Sequence, residues 1–309
     1  PAMFYLLLRV LPLKREDVWL LGDVLVAAAV VLALLGLYQY GFTADVIVAE
    51  GVRRIRGVYA SPNNLSLFLG RMAAWLLALI FALPVSRRRL LYGLAAVPTF
   101  LCLYLTYSRG AWLIGLPAAL LFVVLVQGRR VWAWGAAALA AVALSLIPVV
   151  GTERIARLFD MEGETTTFRV KLWQASLNMA RDHPIFGVGL DNFLYQYRTR
   201  YVLPEAWQEL NLSHPHNIFL DYWTRLGLLG IILLAVQQWS FFKTGFGLYG
   251  RLRNDFDRAL VLSLMASMVY SLAHGLVDNS FFLVDLSFVL ALSFGLLARL
   301  SKLNNRVAD

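Results

Sequence analysis

Residues 18–40 read VWLLGDVLVAAAVVLALLGLYQY, an almost uninterrupted run of apolar residues. Its only charged residue is Asp23. About 20 consecutive apolar residues are enough to cross a bilayer as a helix. The apolar positions are continuous rather than alternating, and a lipid-exposed backbone has to satisfy its own hydrogen bonds, so the pattern indicates a helix and not a strand. The sequence therefore predicts a membrane-spanning helix here.

Seven further runs of this kind follow along the chain, at residues 62–83, 90–107, 110–127, 131–150, 216–240, 258–276 and 280–298. Only 15% of the residues are charged, against about 25% in soluble domains. This composition excludes a soluble enzyme and a conventional nucleic-acid binder. We predict an all-α, polytopic membrane helix bundle with about eight spanning helices, forming a single membrane domain over residues 1–309.

The chain begins at Pro1, so we expect either processing or further residues, helices included, upstream of it. Residues 1–11 are interpreted as the tail of an earlier span or as an interfacial segment.

Basic residues show how the spans are oriented. The net charge of +9 comes mainly from clusters that flank the apolar runs, which suits a membrane better than a nucleic acid. The clusters lie in alternate connections: Lys14-Arg15, Arg87–Arg89, Arg129-Arg130, Lys243–Arg258 and Arg299–Arg306. The positive-inside rule places these connections in the cytoplasm. The other connections, including the long stretch 151–215, are then expected on the outer face.

The outer stretch 151–215 is long enough to carry function. An apolar stripe predicts a helix from Phe168 to about Asp182, lying at the membrane interface. Pro184 ends this helix, Gly187–Gly189 is interpreted as a turn, and a second short helix is predicted from Phe193 to Tyr201. The stripe consists of Val170, Trp173, Leu177 and Ala180.

Pro215 and His216 stand at the start of the sixth predicted span, which places His216 in its first turn. The positive end of the helix dipole and neighbouring arginines disfavour a protonated imidazole there. A neutral His is what a general base requires. The alternative is a His that caps the helix or bonds locally. His214 and His216 form a His-x-His pair, but we find no matched third ligand nearby and predict no metal site.

His216 and Asn217, followed at a distance by Gly227 and Gly230, resemble the signature of the O-antigen ligase and O-antigen polymerase-like membrane proteins. Other segments resemble the same family in the same order and extend the likeness over roughly residues 53–240. They are Arg56-Gly57 with Pro62–Leu65, Thr106–Trp112, Arg169 with Trp173, and Pro184–Phe193.

The resemblance implies a membrane glycosyltransferase of the GT-C type on the outer face of the bacterial cytoplasmic (inner) membrane. Its donor would be a glycan linked through diphosphate to a polyprenyl lipid such as undecaprenol. Its acceptor would be a hydroxyl on a glycolipid, on another glycan or on a protein. The family's functional positions map onto Arg109, Arg169 and His216, and no metal or cofactor is expected.

The chemistry of these side chains agrees with that implication. The planar fork of an arginine suits a diphosphate, whose charge grows as it leaves, so Arg109 and Arg169 are predicted to clamp it. His216 is predicted to deprotonate the acceptor. We expect five further residues to contact substrate: Arg56, Asn63, Asn217, Asp221 and Arg225.

Two alternatives stay open. Asp221 and Arg225 are four residues apart and can instead pair on one helix face, holding the sixth span in register. A transporter or flippase for an anionic lipid-linked glycan would also carry charges within the membrane. It would be expected to show internal repeats or paired broken helices, and no convincing repeat relates the two halves of the sequence.

Overall fold

The computed structural model describes residues 1–43, 45–49, 52–128, 132–133, 136, 164–279 and 281–308. Among these residues, seven helices are long and apolar enough to cross a membrane. The prediction of an all-α, polytopic membrane bundle is thereby confirmed. The predicted span 131–150 falls mostly outside the described residues, as does the part of the outer stretch between 151 and 163.

The helices of the described chain are α1 (Ala2–Val10), α2 (Arg15–Phe42), α3 (Pro62–Ala82), α4 (Arg87–Leu105), α5 (Leu116–Gln127), α6 (Glu164–Asp182), α7 (Phe193–Gln196), α8 (Ile218–Arg251), α9 (Asp255–His274) and α10 (Val284–Ala308). Two π-helical segments, Gly110–Gly115 and Tyr197–Tyr201, and a 3-10 segment, Pro204–Glu209, lie between them. A short antiparallel hairpin pairs β1 (Ile47–Ala49) with β2 (Val52–Arg54), which the sequence pattern did not predict.

The helix ends follow from local chemistry. The Ser61 side chain accepts a hydrogen bond from the Asn64 backbone N–H at 3.1 Å, and Pro62 occupies the first helical position. Serine caps a helix in this way, and proline is tolerated where its missing N–H would have no partner. The predicted span 62–83 therefore agrees with α3 at its start and overshoots its end, Ala82, by one residue.

The chain forms two compact units. The first comprises Pro1–Ala141, Phe241–His274 and Phe281–Asp309, and the packing of α3 against α9 forms its core. Added Cβ atoms at Gly70 and Gly115 would lie 1.8 Å and 2.5 Å from atoms of the Tyr270 side chain. The Tyr270 hydroxyl donates to the Ser66 carbonyl at 3.0 Å. Glycines on α3 and on the segment Gly110–Gly115 thus allow the close approach that drives helix packing in a membrane.

The second unit comprises Val142–Ser240 and Gly275–Ser280. One face of α6 packs against α7 and the π-helical segment that follows it, around Leu172, Ala175, Met179, Phe193 and Tyr197. Of the predicted apolar stripe, Ala180 is buried, whereas Val170 and Leu177 are 43% and 38% exposed. The helix carries a second apolar strip, and the packing partner rather than the strip determines which face is buried.

Candidate active site

A break in α8 is the central feature of the second unit. Gly227 has φ +67° inside the helix, a conformation that side-chain-bearing residues rarely adopt. The break ends the regular hydrogen bonding of the first half of α8. Unpaired backbone groups are costly in lipid, so another segment has to supply the missing partners.

The segment 184–189 supplies them. The N–H groups of Val188 and Gly189 donate to the carbonyls of Thr224 and Arg225 at 2.8 Å and 3.0 Å, while the Leu228 N–H donates to the Pro184 carbonyl at 2.7 Å.

Two glycines permit this backbone-to-backbone approach. A Cβ at Gly227 would lie 2.1 Å from the Ile185 carbonyl oxygen, and a Cβ at Gly187 would lie 2.5 Å from the Arg225 carbonyl carbon. Gly187 also has positive φ, as a turn requires. The stretch interpreted as a turn therefore also supplies the hydrogen-bond partners that the helix lacks at its break.

Arg225 fastens two loops to the first half of α8. Its guanidinium bonds to Asp221 at 2.6 Å, donates to the carbonyl of Leu190 and donates to that of Ser213 at 2.9 Å. Asp221 is 1% exposed. The predicted pairing of Asp221 with Arg225 is confirmed. The arginine also holds the segments before and after the short helices against α8. Substrate contact by these two residues stays a prediction.

Asn217, rather than His216, caps the start of the sixth span. Its side-chain oxygen accepts from the N–H groups of Phe219 and Leu220 at 3.0 Å and 3.1 Å, as an N-cap does. Its amide nitrogen donates to the Leu276 carbonyl at 3.0 Å. The helix starts at Ile218, two residues later than predicted, because the cap holds the preceding chain out of helical geometry. The Asn217 side chain thus fixes the loop 275–279, and its contact with substrate stays a prediction.

His216 precedes the cap with φ +49° and is turned toward a buried carboxylate. Its Nδ1 lies 2.9 Å from Asp278 Oδ1, and Asp278 is 3% exposed. A carboxylate only accepts hydrogen bonds, so the proton of this contact is on Nδ1, and in the neutral imidazole the lone pair is on Nε2. The His216 side chain is 22% exposed. The geometry is that of an oriented imidazole base within reach of solvent.

Asp278 was not found by sequence reasoning as a partner of His216. Its spacing from His274 suggests a local pair within a helix, but α9 ends at His274, so helical spacing does not extend to Asp278. His214 lies beside the pair, with its ring centroid 4.2 Å from that of His216. No signal in a single sequence connects Asp278 with a histidine 62 positions away.

Arg169 lies in the same unit as His216. One turn further along α6, the Trp173 ring N–H donates to the Pro215 carbonyl at 2.9 Å. Residues four apart share a helix face, so Arg169 and Trp173 lie on the face that meets the residue before His216. The structure therefore brings Arg169 and His216, both predicted site residues, to one region of the second unit.

Arg109 belongs to the first unit and directly precedes the π-helical segment Gly110–Gly115. Nearby, Arg54 donates to the Thr106 carbonyl at 2.8 Å and to the Asn63 side-chain oxygen, also at 2.8 Å. Arg56 pairs with Asp45 at 2.6 Å. This end of the first unit is thus rich in arginine, and two hydrogen bonds hold the Arg54 side chain in place.

Tyrosines support the second unit outside its spanning helix. The Tyr201 hydroxyl donates to Asp182 at 2.8 Å, and burial together with this carboxylate raises the pKa of Tyr201. Burial, followed by the charge of Glu209, raises the pKa of Tyr197 in the same way. Both phenols remain protonated at neutral pH, so the Tyr201 bond to Asp182 persists there.

These features define a multi-pass membrane protein with a polar, loop-built site at a broken helix. Residues 94–235 match the family model described as O-antigen ligase, and this match includes Arg109, Arg169, His216 and the break at Gly227. Over these residues the chain is therefore similar to the O-antigen ligase family, as its motifs predicted.

Two curated relatives agree with this match. The O-antigen ligase of Pseudomonas aeruginosa is 28% identical over an alignment of 279 residues, which covers 88% of this chain and 60% of the relative. The exopolysaccharide production protein ExoQ of Rhizobium meliloti is 25% identical over an alignment of 240 residues, which covers 72% of this chain and 54% of the relative. The chain thus spans little more than half the length of the curated relatives it matches.

Proposed function

We propose that this protein is a membrane glycosyltransferase that moves a glycan from a polyprenyl-diphosphate-linked donor to an acceptor hydroxyl. The reaction takes place on the outer face of the bacterial cytoplasmic membrane and needs no metal. The observation that carries the proposal is the 2.9 Å contact between His216 Nδ1 and Asp278 Oδ1. In the neutral imidazole this contact leaves the lone pair on Nε2, and the His216 side chain is 22% exposed.

In the proposed reaction the acceptor oxygen attacks the anomeric carbon of the donor sugar while the bond to the diphosphate oxygen breaks. His216 Nε2 takes the hydroxyl proton, and Asp278 stabilises the resulting imidazolium and holds the ring in position. Arg109 and Arg169 neutralise the charge that develops on the leaving diphosphate. The apolar helices keep the polyprenyl chain in the bilayer.

The resemblance to the family allows three classes of acceptor. A hydroxyl on a lipid-anchored core glycan defines a ligase, one on a second lipid-linked glycan defines a polymerase, and one on a protein defines an oligosaccharyltransferase. His216 and the two arginines would perform the same chemistry in all three. Arg56 and Asn63 are proposed to contact the donor at the arginine-rich end of the first unit.

A lipid-linked glycan transporter or flippase is the second candidate, because α8 is broken at Gly227 as transporter helices often are. In transporters the freed backbone groups bind substrate or ions. Here the carbonyls of Thr224 and Arg225 accept from residues 188 and 189, so they already have partners. Because these carbonyls are already hydrogen-bonded within the protein, the break favours the enzyme over the transporter.

The test uses the purified protein in liposomes that contain a polyprenyl-diphosphate glycan and candidate acceptors. Glycan joined to an acceptor supports the proposal, whereas movement of unmodified donor across the bilayer supports the transporter. His216→Ala is expected to slow transfer by about 10²–10⁴-fold, the usual contribution of a general base. His183→Ala, which changes a histidine outside the site, is the matched control, and equal rates for the two variants would refute the base assignment.

A further inference from the structure

Three metal-binding atoms converge in the second unit. One ring nitrogen each of His214 and His216 and a carboxylate oxygen of Asp278 lie within 4.8 Å of one another. Asp278 Oδ1 is 2.9 Å from the His216 nitrogen and 3.6 Å from the His214 nitrogen. Zinc bonds of about 2.0–2.1 Å in a tetrahedron separate neighbouring ligand atoms by roughly 3.3–3.5 Å. The two measured separations bracket that distance.

His214 provides a second, independent indication. Its Nε2 is buried and has no hydrogen-bond partner among the described residues, since 3.6 Å to Asp278 is too long for a hydrogen bond. Its other ring nitrogen lies 3.1 Å from Ser213 Oγ. Metal-binding histidines commonly have such an outer contact, which orients the ring. A buried polar atom without a partner calls for an explanation, and a bound cation provides one.

We propose that His214, His216 and Asp278 bind Zn²⁺, with water at the fourth position, and that zinc thereby switches off His216. Two imidazoles and one carboxylate are a ligand set that favours zinc, whereas Mg²⁺ and Ca²⁺ favour oxygen ligands alone. The side chains of both histidines are partly exposed, at 15% and 22%, so a dissolved ion can reach them.

The effect on transfer rests on the proposed function. Without metal, His216 Nδ1 carries the proton and donates to Asp278, which leaves the Nε2 lone pair to accept from a hydroxyl. When zinc bonds to Nδ1, the proton leaves that atom, and the neutral imidazole carries its one proton on Nε2. The ring then donates where it previously accepted. It can no longer take a proton from the acceptor, although its overall charge is unchanged.

Binding is measured first, by calorimetric titration of Zn²⁺ into the purified full chain, prepared without a histidine tag. The wild type and His183→Gln are expected to bind one ion each with equal affinity. His214→Gln removes one of three ligands and is expected to weaken binding at least tenfold. When Co²⁺ is added in place of Zn²⁺, visible absorption typical of tetrahedral Co²⁺ should appear in the wild type and in His183→Gln but not in His214→Gln. Equal zinc affinity in wild type and His214→Gln would overturn the site.

Transfer is measured second, at increasing zinc concentration. Wild-type transfer should fall as the site fills, and His214→Gln should keep its transfer without zinc and need at least tenfold more zinc for inhibition. Unchanged wild-type transfer at a zinc concentration that fills the site would overturn the switch. If the wild type showed no transfer even without zinc, the proposed function would fail while the titration still decided the site.

Discussion

The core of the first unit and the broken helix of the second unit both depend on glycine, but in different ways. Gly70 on α3 makes room for the side chain of Tyr270, with 1.8 Å between an added Cβ and the tyrosine oxygen. Gly227 on α8 makes room for a backbone carbonyl, that of Ile185, at 2.1 Å. A side chain can be replaced or can move, whereas a carbonyl held by hydrogen bonds cannot. The first unit should therefore tolerate compensated changes that the second does not.

Gly227→Ala should have the largest effect on stability. An alanine there has to adopt φ +67° with ψ −159°, a region that costs a residue with a side chain about 1–3 kcal/mol. Its methyl group also meets the Ile185 carbonyl, so the loss should exceed about 4 kcal/mol. Thermal unfolding in detergent measures it. Gly247→Ala is the control, because a Cβ there meets nothing within 4 Å. Similar midpoints for both variants would show that segment 184–189 does not close the break.

Arg225→Met should be next in size, with a loss of about 3–5 kcal/mol, because it leaves the buried Asp221 carboxylate unpaired. Adding Asp221→Leu should recover only part of this loss, since the carbonyls of Leu190 and Ser213 still lack their donor. Arg200→Met, at an exposed arginine of the same unit, is the control. Full recovery in the double variant would mean that Arg225 does not fasten the two loops.

Gly70→Ala should cost about 1–3 kcal/mol through overpacking. Because its neighbour is a side chain, Tyr270→Leu should relieve part of that cost, giving a coupling of about 0.5–3 kcal/mol in a double-mutant cycle. Unfolding midpoints of the two single variants and the double variant measure the coupling. Additive losses would remove the contrast with Gly227.

Asn217→Ala should have the smallest effect, about 1 kcal/mol from the lost helix cap. Asn217→Asp keeps the capping oxygen but loses the donor to the Leu276 carbonyl, so it should retain stability while loosening the loop that carries Asp278. Unfolding midpoints measure the first effect and the rate of glycan transfer the second. If Asp and Ala at this position gave equal midpoints, the capping assignment would be wrong.

Hydropathy predicted most of the first unit, because a helix in lipid is determined by the length and apolarity of its own segment. The predicted span 110–127 coincides with the helical stretch Gly110–Gln127. Arg299, which begins the last basic cluster, donates to the carbonyl of Leu13, the residue before the cluster Lys14-Arg15, at 2.7 Å. This contact agrees with the assignment of both clusters to one side of the membrane.

The second unit was harder to predict, because its geometry comes from contacts between distant segments. The motifs drew attention to His216, Asn217 and Gly227 without giving their structural roles. The His216 contact with Asp278 depends on the cap at Asn217 and on a loop beyond α9. The buried face of α6 depends on what packs against it. Patterns within one helix carry no information on either.

The shared hydrogen bonds at the break have a consequence for biosynthesis. The ribosome delivers a chain from its N-terminus, so residues 184–189 arrive before the half-helices that they complete. Until residues 224–228 emerge, the Val188 and Gly189 donors depend on water or lipid head groups. The two halves of the sixth span would then insert before the hydrogen bonds across the break are complete. Those bonds would form late in maturation rather than during insertion.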